Sequence, residues 1–268
     1  MNIISKILSN KRSNNSCALI PFIIAGYPSI DTTIQILHLL DNKGVDIIEL
    51  GIPYSDALAD GPIIQNASKV ALNQGVYIDQ VLSILKQTTY ALKASVVIFS
   101  YYNPVLVRGV EKFINEISSL GAKGLIIPDL PMEETNYLIS LCTYYKIELI
   151  LFIAPTSSKA RINKILSKAP GCLYIVSRTG VTGIKSSVNF NLSILFQHIK
   201  LTTNKLIMLG FGISSAKQAS TICKWDIDAI VIGTAFIQLL SDDNCDTNIN
   251  RLDKFGIFFD DIKASIKV

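Results

Sequence analysis

The chain has 268 residues, 49% of them hydrophobic and 17% charged, with a mean hydropathy of +0.39. That is apolar material for one large core, and the length suits a single α/β barrel. A membrane-spanning helix needs about 20 nearly continuous apolar residues, and the longest runs, Leu19–Gly26 and Leu149–Pro155, stop far short, so a soluble protein is expected.

Lys and Arg outnumber Asp and Glu by 25 to 21, for a net charge of +4 and a pI near 8.7. The basic residues are scattered and form no stripe with aromatics, which gives nucleic-acid binding little support. A mild positive balance does suit an anionic substrate. The five cysteines (Cys17, Cys142, Cys172, Cys223 and Cys245) stand far apart without a CxxC pair, as in a reducing compartment. The two histidines, His38 and His198, fall on helical patterns, so no metal site is expected.

The first thirty residues carry no acid, and Lys6, Lys11 and Arg12 stand among serines and asparagines, a composition that transit peptides share. Against that, Ile3, Ile4, Ile7 and Leu8 have helical spacing and the first strand follows near Leu19. Residues 1–18 therefore read as a helix covering the barrel, with no signal or transit peptide. The abundance of Ile, Asn, Lys and Ser is what an AT-rich genome produces, which points to a plastid or bacterial gene and hence to plastid stroma or bacterial cytoplasm.

Eight apolar runs then recur in order: Leu19–Ala25, Asp46–Leu50, Ser95–Phe99, Gly124–Ile127, Glu148–Ile153, Cys172–Val176, Leu206–Leu209 and Ala229–Ile232. They are continuous instead of alternating, as strands covered on both faces should be. Between them the period becomes helical. A helix opens at Pro62 and runs to Asn73, stopped by Gly75. Val110, Phe113, Ile114, Ile117 and Leu120 form a stripe ended by Gly121. Another stripe, Leu138, Leu141, Cys142 and Tyr145, is entered through Pro131, Glu133 and Glu134, which favour a helix start. Ser157 or Ser158 is placed to cap the helix carrying Ile162, Ile165 and Leu166.

Strand–helix alternation implies a parallel sheet with right-handed crossovers. It can close into a barrel or stay open as a doubly wound sheet. The first strand leads into Gly26-Tyr27-Pro28 and not into the dinucleotide-binding GxGxxG, so closure is favoured: a single (β/α)₈ TIM barrel over residues 19–240, with helical cover from 1–18 and 241–268 and additional short helices.

In such barrels the chemistry sits at the carboxyl ends of the strands. Glu49 lies there, inside Val45-Asp46-Ile47-Ile48-Glu49-Leu50-Gly51. An apolar setting disfavours its charged form and raises its pKa, which suits a group that gives and takes protons; a buried glutamate paired with a lysine is an equal alternative. Asp56 and Asp60 stand on the loop after the same strand. Asp60 reads either as a second carboxyl over the mouth or, slightly better, as a helix cap. Asp129 reads best as a cap or strut. Tyr101, Tyr102 and Asn103 end the third strand, where they line a pocket or a subunit contact. Three glycine-bearing turns, Gly180–Gly183, Gly210–Ser215 and Gly233–Ala235, follow the last three strands, where backbone N–H groups and helix starts bind phosphate.

Four long motifs go further: Glu49-Leu50-Gly51-Ile52-Pro53-Tyr54-Ser55-Asp56, Leu58-Ala59-Asp60-Gly61-Pro62-Ile63-Ile64-Gln65, Ser177-Arg178-Thr179-Gly180-Val181-Thr182-Gly183 and Gly210-Phe211-Gly212-Ile213-Ser214. In this order, and over most of the chain from Pro21 to Gln238, they resemble the tryptophan synthase α subunit family. The resemblance implies retro-aldol cleavage of indole-3-glycerol phosphate to indole and glyceraldehyde 3-phosphate, a lyase reaction without cofactor or metal. It makes Glu49 and Asp60 the catalytic pair. It lines the indole pocket with Phe22, Ile64, Tyr174 and Phe211, and assigns phosphate binding to Gly183, Gly212, Gly233 and Thr234. A lid would run from Arg178 to about Ser187, with Thr182 reaching the active site. Tyr54, Ser55, Asp56, Tyr102, Asn103 and Pro104 would meet a β subunit carrying pyridoxal phosphate (PLP), in an α2β2 heterotetramer that makes L-tryptophan.

Other readings compete. A metal-dependent phosphosugar epimerase would want histidines at the barrel mouth, whereas His38 and His198 fall on helical patterns, and an indoleglycerol-phosphate synthase would want a lysine at a strand end. A stand-alone lyase differs only at the contact loops. A mainly non-catalytic activator of a β subunit is harder to reconcile with an intact Glu49 and Asp60.

Overall fold

A computed structural model describes residues 2–176, 195–196, 198–210, 212–241 and 248–266. Its eight strands are β1 (Ala18–Ile24), β2 (Ile47–Gly51), β3 (Ser95–Phe99), β4 (Gly124–Ile126), β5 (Glu148–Ile153), β6 (Leu173–Val176), β7 (Ile207–Gly210) and β8 (Ala229–Ile232). Each pairs in parallel with the next, and β8 returns to β1 to close the barrel. The apolar runs and the strands agree to within a residue or two at their ends. Closure, left open by periodicity, is now an observation.

The helices are α1 (Ile3–Ser13), α2 (Ile30–Asn42), α3 (Pro62–Asn73), α4 (Ile78–Thr88), α5 (Tyr102–Arg108), α6 (Val110–Ser119), α7 (Thr135–Tyr144), α8 (Lys159–Lys168), α9 (Ala216–Cys223), α10 (Thr234–Leu240) and α11 (Asn248–Ser265). Local chemistry sets their ends. Ser29, Ser158 and Ser215 accept from the backbone N–H groups of Thr32, Arg161 and Gln218, so the serine at position 158, not 157, caps α8. Gly121, at φ +91°, takes the left-handed turn after α6. At α3 the N-cap is Gly61, without a side-chain cap, ahead of Pro62 at the first turn. Asp60 is therefore not the cap of α3, and the favoured reading of that residue is overturned: it stands one residue before the cap position, and its carboxylate accepts from the Tyr101 hydroxyl instead.

α1 lies across the amino ends of the strands and is held there by polar contacts with strand-end acids. Glu148, at the first position of β5, accepts from the backbone N–H and the hydroxyl of Ser5, and from the N–H of Cys172. Arg12 forks onto Asp228, just before β8, at 2.5 and 2.6 Å. Lys11 meets Asp46, just before β2, at 2.6 Å. At the other end of the chain, Phe255, Phe259 and Ile262 of α11 are buried, and Phe236 of α10 packs on Phe255 with ring centroids 4.6 Å apart. No helix among the described residues is long and apolar enough to cross a membrane.

Candidate active site

The register of β1, β2 and β3 sets the site. Phe22 pairs with Glu49, and Glu49 with Val97, one layer below the carboxyl rim formed by Gly51 and Phe99. Glu49 is 1% exposed, and its Oε2 has no hydrogen-bond partner among the described residues. Burial holds its carboxyl well above the usual carboxylate range, and the nearby Asp60 charge adds to this. Among the described residues no lysine pairs with Glu49.

Asp60 reaches the same mouth from the loop after β2. Burial pushes its carboxyl up to about 6, offset by a hydrogen bond from Tyr101. The Tyr101 hydroxyl donates to Asp60 Oδ2 at 2.9 Å and accepts from the Ala59 N–H at 3.1 Å. Gln65 Nε2 donates to the carbonyls of Ala57 and Asp60, both at 3.0 Å, which ties the loop to the first turn of α3. The two carboxyls thus sit in different settings: one dry, with no partner for its Oε2 among the described residues, and one hydrogen-bonded and nearer solvent. That difference separates their protonation states near neutral pH.

Aromatic rings wall the space around them. Phe22 meets Phe99 edge-on at 5.3 Å, Phe99 meets Phe152 at 6.4 Å, and Phe152 stacks on Tyr174 at 4.4 Å with 10° between planes. Burial, then Glu49, then Asp60 raise the Tyr174 phenol, so it lies in the field of both carboxyls and stays protonated. Three glycines make room for these rings. A Cβ on Gly51 or Gly233 would stand 2.9 and 2.8 Å from atoms of the Phe22 ring, and one on Gly210 would stand 2.6 Å from the Tyr174 ring. Phe22, Phe99, Phe152 and Tyr174 thus make a continuous row of aromatic rings beside the two acids.

Of the residues singled out from sequence, Phe22, Glu49, Asp60 and Tyr174 belong to this mouth. Ile64 is half-buried in the first turn of α3. Gly212 is exposed after β7, while Gly233 and Thr234 are half-buried at the end of β8 and the start of α10. Phe211, Thr182, Gly183 and the whole lid segment lie outside the described residues. On the loops beyond, Ser55, Asp56 and Asn103 are exposed, Tyr54 and Pro104 are half-buried and Tyr102 is buried. Asn103 Nδ2 donates to the Tyr54 hydroxyl at 3.2 Å. Asp129 is a strut, accepting the Tyr102 N–H at 2.9 Å. Sequence reading missed Tyr101 as the partner of Asp60, and Phe99 and Phe152 as members of the aromatic row. Their position at or near strand carboxyl ends was the available signal. Among the described residues no three His, Cys, Asp or Glu side chains gather in a metal-holding group.

The closed parallel barrel defines a (β/α)₈-barrel protein, and its two differently tuned carboxyls beside a row of aromatic rings are its candidates for acid–base chemistry. Comparison with known proteins narrows that class. A sequence model of the tryptophan synthase alpha chain matches residues 8–267. The tryptophan synthase alpha chain of Gracilaria tenuistipitata var. liui is 62% identical over 237 residues, covering 88% of both chains. That of Trichormus variabilis is 45% identical over 267 residues, covering 100% of this chain and 99% of the relative. Among solved structures, a Mycobacterium tuberculosis tryptophan synthase chain superposes with a TM-score of 0.89 at 28% identity, covering 100% of this chain and 99% of the other. The alpha subunit from Legionella pneumophila gives 0.87 at 29%, covering 99% and 98%. The chain belongs to the tryptophan synthase alpha chain family, and it is an enzyme of the lyase type.

Proposed function

We propose that Glu49 and Asp60 carry the family's α reaction in this chain, the retro-aldol cleavage of indole-3-glycerol phosphate to indole and glyceraldehyde 3-phosphate. The observation that supports it most is the buried, unpartnered Oε2 of Glu49 facing the same mouth as a hydrogen-bonded Asp60. A carboxyl raised by burial is protonated near neutral pH, and so can donate to the ring carbon that bears the glycerol phosphate chain. Asp60, with its pKa at about 6, is mostly ionised there, accepts the ring N–H and stabilises the positive indolenine. The ring is then a leaving group. Glu49, now a carboxylate, takes the proton of the neighbouring hydroxyl as the carbon–carbon bond breaks, and ends as it began. The step needs no cofactor in this account.

By the family's pattern Phe22, Ile64, Tyr174 and Phe211 would line the indole pocket. By the same pattern Gly183, Gly212, Gly233 and Thr234 would hold the phosphate, and Thr182 would belong to a lid over residues 178–187. Indole passes to a β subunit that carries the PLP, in an α2β2 assembly docked through Tyr54, Ser55, Asp56, Tyr102, Asn103 and Pro104. The exposed Leu58, Leu106 and Val107 stand beside those residues in the chain and supply apolar area to the contact. Relatives from red algae and cyanobacteria fit a plastid or cyanobacterial gene, which the codon composition of the coding sequence tests.

The deciding experiment is indole release from indole-3-glycerol phosphate by the purified chain, alone and with a β subunit. Slow release that rises strongly with the partner is expected. Fast release alone would favour a stand-alone lyase, and no release in either case would refute the reading.

A further inference from the structure

We propose that Tyr101 is a positioning residue for the cleavage reaction: its phenolic hydroxyl fixes the orientation of the Asp60 carboxylate, and does so from the strand end that leads into the partner-facing helix α5. The inference rests on the reading of Asp60 given above.

The geometry is specific. Tyr101 is the first residue after Ser100 at the end of β3, is 3% exposed, and immediately precedes α5. Its ring cannot swing freely, because Tyr54 packs against it at 5.3 Å and Phe99 meets it edge-on at 6.0 Å. A fixed ring fixes the oxygen. That oxygen is used twice, donating to Asp60 Oδ2 at 2.9 Å and accepting from the Ala59 N–H at 3.1 Å. Asp60 itself sits on a loop, where nothing in its own backbone conformation dictates its rotamer, and Gly61 takes the cap position of α3. With Oδ2 engaged by Tyr101, Oδ1 is left to accept the ring N–H.

The same bond sets charge as well as direction. A hydroxyl donating to a carboxylate stabilises the ionised form, and this bond opposes the effect of burial on Asp60. Burial and Asp60 together hold the Tyr101 phenol well above its ordinary range, so it remains a donor at any working pH. The next residue, Tyr102, is anchored through its N–H to Asp129 at 2.9 Å. Two residues and one residue short of the end of α5, Leu106 and Val107 are exposed. A displacement of α5 by a docked partner therefore reaches Asp60 through one residue.

The test is Tyr101→Phe in the complex with a β subunit, read as the pH profile of kcat/KM for indole release. Losing the donor raises the Asp60 pKa, so the acid limb should move to higher pH by about one unit, with a roughly tenfold loss at neutral pH. In an Asp60→Ala background the same substitution should have no further effect. Replacing Tyr101 by a fluorinated tyrosine, nearly the same shape but a stronger donor, should move the limb the opposite way, and this arm holds if the phenylalanine variant does not fold. An unmoved acid limb in the variants, or full additivity with Asp60→Ala, overturns the proposal while wild-type turnover leaves the reaction itself standing. Absence of indole release from the wild-type complex removes both.

Discussion

At the scale of single residues, the carboxyl of Glu49 combines function with a cost to folding. Its pKa is higher in the folded chain than in the unfolded one, so the folded state holds the proton more tightly. Stability from this group is therefore full below the unfolded carboxylate range and falls as pH rises toward the folded pKa. Asp60, raised from 3.8 to about 6, has the same sign over that window. Glu49→Gln should consequently lower turnover by about 10²–10⁴-fold, keep the fold, and melt at a higher temperature than wild type at pH 8. The two should converge near pH 4, where both carry a neutral group. Thermal scans at the two pH values, beside an indole-release assay, check this, and equal melting at pH 8 would count against a dry Glu49. The aromatic row has its own vulnerable position at Gly210, where a Cβ would lie 2.6 Å from Tyr174 Cε1. Both that ring and the strand are packed. Gly210→Ala should cost about 1–3 kcal/mol in denaturant unfolding and weaken substrate binding through the displaced ring.

Elements matter where they carry a residue to a place its sequence neighbours do not specify. α1 shows this at the closed end of the barrel. Its apolar residues Ile4 and Leu8 are buried, but its seat is set by Arg12 on Asp228, whose carboxylate also accepts the Ile207 N–H at 2.7 Å. Asp228 is nearly fully buried, so removing Arg12 leaves a desolvated charge with one partner fewer. Arg12 itself is partly exposed, which lets water recover some of that loss. Arg12→Ala should therefore destabilise the chain by about 2 kcal/mol in urea or guanidinium titration. Because the contact lies at the end of the barrel opposite the acids, kcat should be unchanged in the folded fraction.

For the whole molecule, the barrel separates duties by end: polar anchors for α1 at the amino ends of the strands, and the two acids and the aromatic rings toward the carboxyl ends, with the exposed Leu106 and Val107 on the helix that follows β3. Val107 is 81% exposed and touches no part of the acid pair. Val107→Asp should weaken association with a β subunit by about tenfold or more, visible by gel filtration or titration, while basal indole release by the isolated chain stays the same. Retained assembly would place the partner elsewhere on the rim.

The sequence by itself determined the strands and the ends of a few helices, and it singled out two carboxyls as candidates, because each is written in a short window: a continuous apolar run, a serine before a helix, a glutamate among isoleucines. Motif order added the family and, with it, the expected roles. What the windows could not hold were the contacts across the closed barrel. Asp60 read as a cap until the phenol 41 positions away was seen to hold it, and Glu49 read equally well as half of an ion pair, while among the described residues its Oε2 has no partner. Glu148 looked like the start of a strand and proved to be the seat of Ser5, 143 positions earlier. Chain neighbours fix periodicity, while partners are fixed by the register in which β8 meets β1, and only the folded barrel decides that register.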